Sequence, residues 1–239
     1  MTDSSPPLSI LLVQAAASTD PPVALDEEHR QIWMALSGTP HGQTFTIQTL
    51  QAARARDLPD RLARAVPAVM HFSGQGTPNS GLRFVTDDGS DAPTSIPGLC
   101  KLLAEYALDG LELVVLNACW TSELAEALSS AINCVIGTSC PIPDDHAISY
   151  SRELYRNLGC GQSVGQSHRR ACAAVEMYGA DSRYLPELFP GPGINPDALF
   201  LVDARSRTPL PLPPVKPSDT GSGARLRKPV IGRPAGRLR

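Results

Sequence analysis

The sequence predicts an α/β protein: a mostly parallel sheet with helices on both of its faces. Two observations carry that expectation. The first is a set of short apolar runs, in 8–15, 67–76, 111–120 and 132–139, that are nearly unbroken rather than alternating. Strands covered on both faces have this pattern, whereas a half-exposed strand alternates. The second is that amphipathic stretches of helical period lie between these runs, so strand and helix alternate along the chain, and alternation of that kind implies crossover connections and parallel neighbours.

Taken in order, LSILLVQA at 8–15 reads as a buried strand. ALDEEHRQIWMAL at 24–36 sets Leu25, Ile32 and Leu36 on one helical face and places its acidic residues at the start, where the helix dipole favours them. QTFTIQTL at 43–50 alternates and is a second strand. DLPDRLARA at 57–65 is a short helix with Asp57 as cap and Pro59 in the first turn. The apolar part of PAVMHFSGQG, 67–76, is a third strand that its glycines end. Residues 82–87 and 93–96 flank Asp88-Gly89, a hairpin signal. A helix over 97–106, a strand over 111–120, a helix over 122–131 and a strand over 132–139 follow, then helices over 144–158 and 163–177 and a last strand, DALFLVD, at 197–203.

The net charge of −3 hides two unequal parts. Residues 1–203 carry 12 Lys/Arg against 23 Asp/Glu, while 204–239 carry nine Lys/Arg and only Asp219. The second segment also has seven prolines and no aromatic residue. It cannot bury enough apolar area to offset its ordering entropy, so one domain over 1–203 and a disordered basic tail over 204–239 are expected. The tail could touch nucleic acid or acidic partners through charge alone, and without aromatics it has nothing to stack on bases. Arg225-Leu226-Arg227-Lys228 and Arg237-Leu238-Arg239 are candidate cleavage sites for an Arg-preferring protease. No run of eighteen apolar residues suggests a membrane span, and Met1 to Pro7 lacks the character of a signal peptide, so a cytoplasmic location is expected. Six cysteines, at 100, 119, 134, 140, 160 and 172, form no C-x-x-C pair and no zinc-finger spacing; free thiols are expected, with no metal and no cofactor.

In open parallel sheets, sites lie beyond the carboxyl ends of the strands. Two ends stand out: Ser73-Gly74-Gln75-Gly76 after the third strand and Asn117-Ala118-Cys119-Trp120 after the fourth. A thiolate at Cys119, just before a helix, would face backbone N–H groups that lower its pKa. The N–H groups of Gly76 and Cys119 could together form an oxyanion hole. The plainer reading is that Cys119 packs and the glycines only turn the chain. Gly74-Gln75-Gly76 also begins like a dinucleotide fingerprint, but the remaining glycine and the helix are missing.

HFSGQG, LVVLNACW and CVIGTSCPIPDDHAISYSRELYRNLGCGQSV, in that order, together with LDEEHRQI at 25–32, resemble the CHAT family over residues 8–203. These are caspase-like domains of clan CD cysteine peptidases, common in bacteria and often fused to repeat or sensor modules. The resemblance implies a caspase–haemoglobinase sheet, with a catalytic histidine after the third strand and the nucleophile after the fourth. Cys119 matches that nucleophile. The family pattern is H-F-S-G-H-G, and Gln75 stands where its second, catalytic histidine should be; His71 matches the first histidine, which belongs to the strand. A glutamine amide does not titrate near neutral pH, and loss of acid–base help costs about 10² to 10⁴ in rate.

Three readings of Gln75 follow. The chain is a natural pseudopeptidase that binds without cutting, or Gln75 is an introduced substitution in an active enzyme, or another histidine serves, with His146 on the same rim and His71 buried in the strand. His29, His41 and His168 carry no signal of their own. Asp144 and Asp145 follow the fifth strand. They read either as helix N-caps or, as the resemblance to Arg/Lys-cutting members such as separases implies, as the acidic floor of a substrate pocket, Asp144 foremost. The implied function is a cysteine endopeptidase cutting protein or peptide substrates after a basic residue, in a bacterial signalling or defence pathway. The alternative is an inactive peptide- or partner-binding scaffold. Because no sensor module is evident in the sequence, a separate activating sensor protein is expected.

Overall fold

The computed structural model describes residues 7–16, 24–78 and 81–202. Its main sheet has six strands in the order β2-β1-β3-β7-β8-β9. These are β1 (Leu8–Ala15), β2 (Phe45–Leu50), β3 (Val69–Gly74), β7 (Leu113–Asn117), β8 (Cys134–Gly137) and β9 (Glu187–Pro190). The first five run parallel, and β9 is an antiparallel edge. Helices α1 (Leu25–Ser37), α2 (Asp57–Arg64), α3 (Ile96–Ala107), α4 (Ser122–Ser129), α5 (Asp144–Gly159) and α6 (Val164–Met177) make the crossovers and cover the faces. A small antiparallel sheet of β4 (Gly76–Thr77), β5 (Gly81–Val85) and β6 (Asp91–Pro93) hangs from the end of β3. Gly89, at φ +83°, supplies the left-handed residue of its tight turn.

Strand parity sorts the side chains into two cores. Leu11 and Val13 of β1, Met70 and Phe72 of β3, Val114 and Leu116 of β7 and Val135 of β8 pack with α2, α3 and α4. The alternate residues, Ile10, Leu12, Val69, Leu113, Val115, Cys134 and Ile136, pack with α1, α5 and α6. The same parity puts His71 and Asn117 on the α1/α5 face. A strand buried on both sides has no face for water, so a polar residue there has to find a protein partner.

Three sequence expectations need correction. The last strand is ELFP at 187–190, not 197–203. Pro190 ends an edge strand, the one place in a sheet where a missing N–H costs no ladder bond, and the two prolines at 186 and 190 hide the strand in the sequence. In the 197–203 stretch, Leu201 and Val202 are buried against the second core without joining the sheet, while the Leu199 carbonyl accepts the first N–H of α6. Asp57 is the first residue of α2 rather than its cap, and its carboxylate accepts from the Arg54 N–H. The second limb of the hairpin is 91–93; Ser95 is already the cap of α3, its hydroxyl accepting from the Gly98 N–H. The tail expected over 204–239 lies outside the described residues.

Candidate active site

An open cleft lies at the carboxyl ends of β3 and β7, beside the start of α5. Its lining includes Glu28 from α1, Gly74 after β3, Asn117, Ala118 and Cys119 after β7, and Asp144 from α5. Cys119 and Asp144, expected from sequence to act together, therefore share one cavity. Asp145 is not part of the lining; it is exposed, and its carboxylate accepts from the His146 N–H. Neither aspartate caps α5 by side chain: Pro143 holds the cap position, and the two carboxylates sit in the first turn, where the helix dipole favours them.

Gln75 lies between two glycines whose missing side chains set the loop. A Cβ on Gly74 would come within 2.3 Å of the Ala15 carbonyl oxygen, and one on Gly76 within 2.0 Å of the Cys119 carbonyl oxygen. Gly76 is thus in direct backbone contact with the nucleophile candidate. The Arg83 N–H donates to the Gln75 carbonyl across the β4–β5 hairpin. That makes Gly76 and Leu82 a non-hydrogen-bonded pair, with the Gly76 N–H directed away from β5. Gln75 itself is half-buried and does not line the cleft.

The turn that carries Cys119 is held by two buried threonines. The Thr138 hydroxyl donates to the Ala118 carbonyl at 2.6 Å, and the Thr121 hydroxyl accepts from the Thr138 N–H at 3.0 Å. The N–H groups of Thr121 and Ser122 both donate to the Thr138 carbonyl. This changes the electrostatic expectation for Cys119, because those two N–H groups at the start of α4 are engaged with the chain after β8 rather than offered to a thiolate. Trp120 follows at φ +57°, a left-handed conformation that costs a bulky residue about 1–3 kcal/mol. The residue is 40% exposed.

Behind the cleft lies a buried polar cluster. His71, fully buried, has Nδ1 3.1 Å from the Tyr155 hydroxyl and Nε2 3.0 Å from Glu28 Oε1. The same carboxylate oxygen accepts from the Asn117 amide and from the Ser151 hydroxyl at 2.8 Å. Burial alone would raise the Glu28 pKa. The charge of His71 and hydrogen bonds from His71, Ser73 and Ser151 outweigh it and hold the carboxyl below its ordinary range. His71 is committed to this cluster, as expected of a strand histidine. His146 lies in the first turn of α5 and does not line the cleft, and His168 is tied to the Tyr150 hydroxyl at 2.7 Å.

Sequence reasoning missed several of these parts. Glu28 reads as one more acid at a helix start; its signal was the position, four and seven residues before Ile32 and Ala35 on the buried face. The Thr121–Thr138 pair has no local signature, since the two residues meet only through the β7–β8 pairing. Among the described residues, no group of His, Cys, Asp or Glu could hold a metal ion.

A family model described as the CHAT domain matches residues 4–187. A Roc-COR-CHAT protease from an unknown prokaryotic organism is 25% identical over 130 residues, which cover 52% of this chain and 12% of that protein. A probable protease from Gillisia limnaea is 24% identical over 158 residues, or 65% of this chain and 28% of that protein. The chain thus spans a small part of the length of the curated relatives it matches. Among solved structures, a secreted C11 cysteine protease from Bacteroides thetaiotaomicron, in complex with an irreversible peptide inhibitor, aligns at TM-score 0.53 and 11% identity. The alignment covers 76% of this chain and 66% of that one, and it is a likeness of fold.

Proposed function

The chain belongs to the CHAT domain family, and from that premise we propose that it is a cysteine endopeptidase domain acting on protein or peptide substrates, with Cys119 as nucleophile. Asp144 is the carboxylate that selects a basic residue beside the bond to be cut. The observation that carries this reading is the shared cleft: Cys119 reaches it from the turn after β7 and Asp144 from the first turn of α5. A peptide in the cleft would lay its carbonyl carbon against the Cys119 sulfur and its basic side chain toward Asp144. Attack by the thiolate breaks the C–N bond once the amine gains a proton, and water then releases the acyl group. The Gly76 N–H, turned away from its hairpin and in contact with the Cys119 backbone, is suited to the developing oxyanion.

Gln75 bears on the proton. An imidazole at this position would raise the thiolate fraction and protonate the amine; an amide does neither. Gln75 therefore favours a second reading, a binding domain that holds basic peptides without turning them over. Its slow step would be expulsion of the amine, with a penalty of about 10² to 10⁴. The bacterial signalling or defence setting, with a separate activating sensor, is supported by the family's habit of fusion and by relatives that extend far beyond the matched region. Among the described residues, no helix is long and apolar enough to cross a membrane.

Hydrolysis of peptide amides carrying Arg or Asp, by the native chain and by Cys119→Ala and Gln75→His, separates the two readings. Cutting by the native chain that Cys119→Ala abolishes supports the endopeptidase. Cutting only by Gln75→His supports the binding domain. Cutting that survives in Cys119→Ala sinks both.

A further inference from the structure

The β3–β7 ladder ends on a polar rung. Its last Cα partners are Ser73 and Asn117. Strand parity turns both side chains to the α1/α5 face, where the Glu28 carboxylate accepts from the Ser73 hydroxyl and from the Asn117 amide. Beyond this rung the two chains part and then touch again: a Cβ on Gly76 would lie 2.0 Å from the Cys119 carbonyl oxygen. Only Gly74, Gln75 and Ala118 lie between the rung and that contact. On its other side the Cys119 turn is held to the chain after β8 by Thr121 and Thr138. Glu28 is the matching hold on the β3 side. It is fixed in turn by α5, through the Ser151 hydroxyl at 2.8 Å, and by β3, through His71 Nε2 at 3.0 Å.

We propose that Glu28 is a positioning residue for the cysteine chemistry: by clamping the Ser73–Asn117 rung it holds the Gly76 N–H where the oxyanion forms on a carbonyl attacked by Cys119. The inference rests on the endopeptidase reading, with Cys119 as nucleophile. Glu28 lines the cleft yet is only 4% exposed, so it is a wall of the cleft rather than a group offered to substrate. The donors around it hold its carboxyl below the ordinary range, so it stays ionised near neutral pH and takes no proton from the thiol. Its part is geometric. One of its oxygens takes donors from β3, β7 and α5 together, and an anion holds such donors more tightly than a neutral acceptor does. Without it the rung is free to shift, and a displacement of about 1 Å at a reacting group costs about 10²-fold.

The test uses the full chain, a peptide aldehyde ending in arginine and the matching alcohol. The Cys119 sulfur adds to the aldehyde: an S–C bond forms, the C=O π bond breaks, and the oxygen, seated at the Gly76 N–H, takes the proton that the thiol gives up. The alcohol has no carbonyl and binds without adding. Each affinity is read as protection of Cys119 from iodoacetamide, followed by peptide mass spectrometry. Both are equilibria, so slow proton transfer beside Gln75 does not enter. The ratio of the two cancels whatever the charge of Glu28 does to the arginine side chain.

In the native chain the aldehyde should protect more strongly than the alcohol. Glu28→Ala should cut that advantage by about 10- to 100-fold, and Glu28→Gln, which keeps the volume and one acceptor, should recover part of it. Asn117→Ala takes away the other half of the clamp and leaves the carboxylate its remaining donors; it should cut the advantage too, and it decides the matter if Glu28→Ala does not fold. Leu154→Ala opens a cavity in the same core without touching the rung and should keep the native advantage. An undiminished advantage in Glu28→Ala, or in Asn117→Ala where the first does not fold, overturns this inference alone, and so does an equal loss in Leu154→Ala. Equal protection of native Cys119 by aldehyde and alcohol overturns the endopeptidase reading and this inference with it.

Discussion

Replacing Glu28 by alanine removes one acceptor that two buried donors and one half-buried donor share. In the native chain its Oε1 receives His71, Asn117 and Ser151. Without it, the fully buried His71 loses the partner of its Nε2, and a buried polar group left unpaired costs about 1–3 kcal/mol. Each neutral donor left unpaired would add about 1–3 kcal/mol, but Glu28 lines the open cleft, and water entering from there would satisfy part of the deficit. A net loss of about 4 kcal/mol follows. In a domain of this size that lowers the melting temperature by roughly 8–16 °C, at about 2–4 °C per kcal/mol. Glu28→Gln keeps the volume and one acceptor, so it should fall between alanine and native. The loss should also depend on pH. The Glu28 carboxyl is held below its ordinary value of 4.5, so its contribution is fully present above that pH and is lost as pH falls through the lower folded value. Thermal unfolding followed by circular dichroism at pH 7 and in steps below pH 4.5 reads both effects. A Glu28→Ala protein within about 1 kcal/mol of native at pH 7, or a deficit that does not shrink in acid, would refute the account of the cluster.

Three further outcomes are expected. Burial, with Arg169 adding to it, pushes the His168 imidazole down to about 4, so the fold favours the neutral ring. Its stability contribution of roughly 3 kcal/mol should be present above pH 6.5 and disappear toward pH 4, and His168→Gln should flatten urea-unfolding stability across that window. Gly76→Ala drives a Cβ to 2.0 Å from the Cys119 carbonyl oxygen; a loss of about 1–3 kcal/mol in denaturation and an altered rate of iodoacetamide alkylation at Cys119 should follow, and a silent substitution would show that the two backbones are not in contact. In a form that turns over, Asp144→Asn should lower kcat/KM for arginyl peptides by about 10- to 100-fold, the worth of one charge-assisted hydrogen bond, while leaving the reaction of Cys119 with iodoacetamide unchanged.

The alternation of strand and helix was legible because each strand is buried on both faces and so reads as an apolar run. Leu8–Ala15 shows this best, where sequence and structure coincide to the residue. The edge strand at 187–190 was not, because a strand with one neighbour and half-exposed side chains carries little apolar signal, and its prolines argue against a strand unless the edge is known. Cys119 stood out because it follows an apolar run and Asp144 because of the family resemblance, and both line the cleft. Glu28 did not, because its burial is decided by His71 and Asn117, which lie 43 and 89 residues away. The clasp of Thr121 and Thr138 escapes for the same reason: strand register is tertiary information. Trp120 adopts a left-handed backbone that no propensity for tryptophan would suggest, and only the surrounding clasp accounts for it.

The most direct measurement of the central claim is covalent labelling of the native chain by two irreversible peptide electrophiles that differ only in carrying Arg or Asp next to the reactive carbon. A thiol can attack such a reagent without protonating an amine, so Gln75 slows both reagents alike through the thiolate fraction and leaves the ratio of their rates unchanged. The account predicts an adduct on Cys119 by peptide mass spectrometry, formed at least about tenfold faster by the Arg reagent, with the preference lost in Asp144→Asn. Equal labelling of Cys119 by both reagents, or modification at another cysteine, would contradict it.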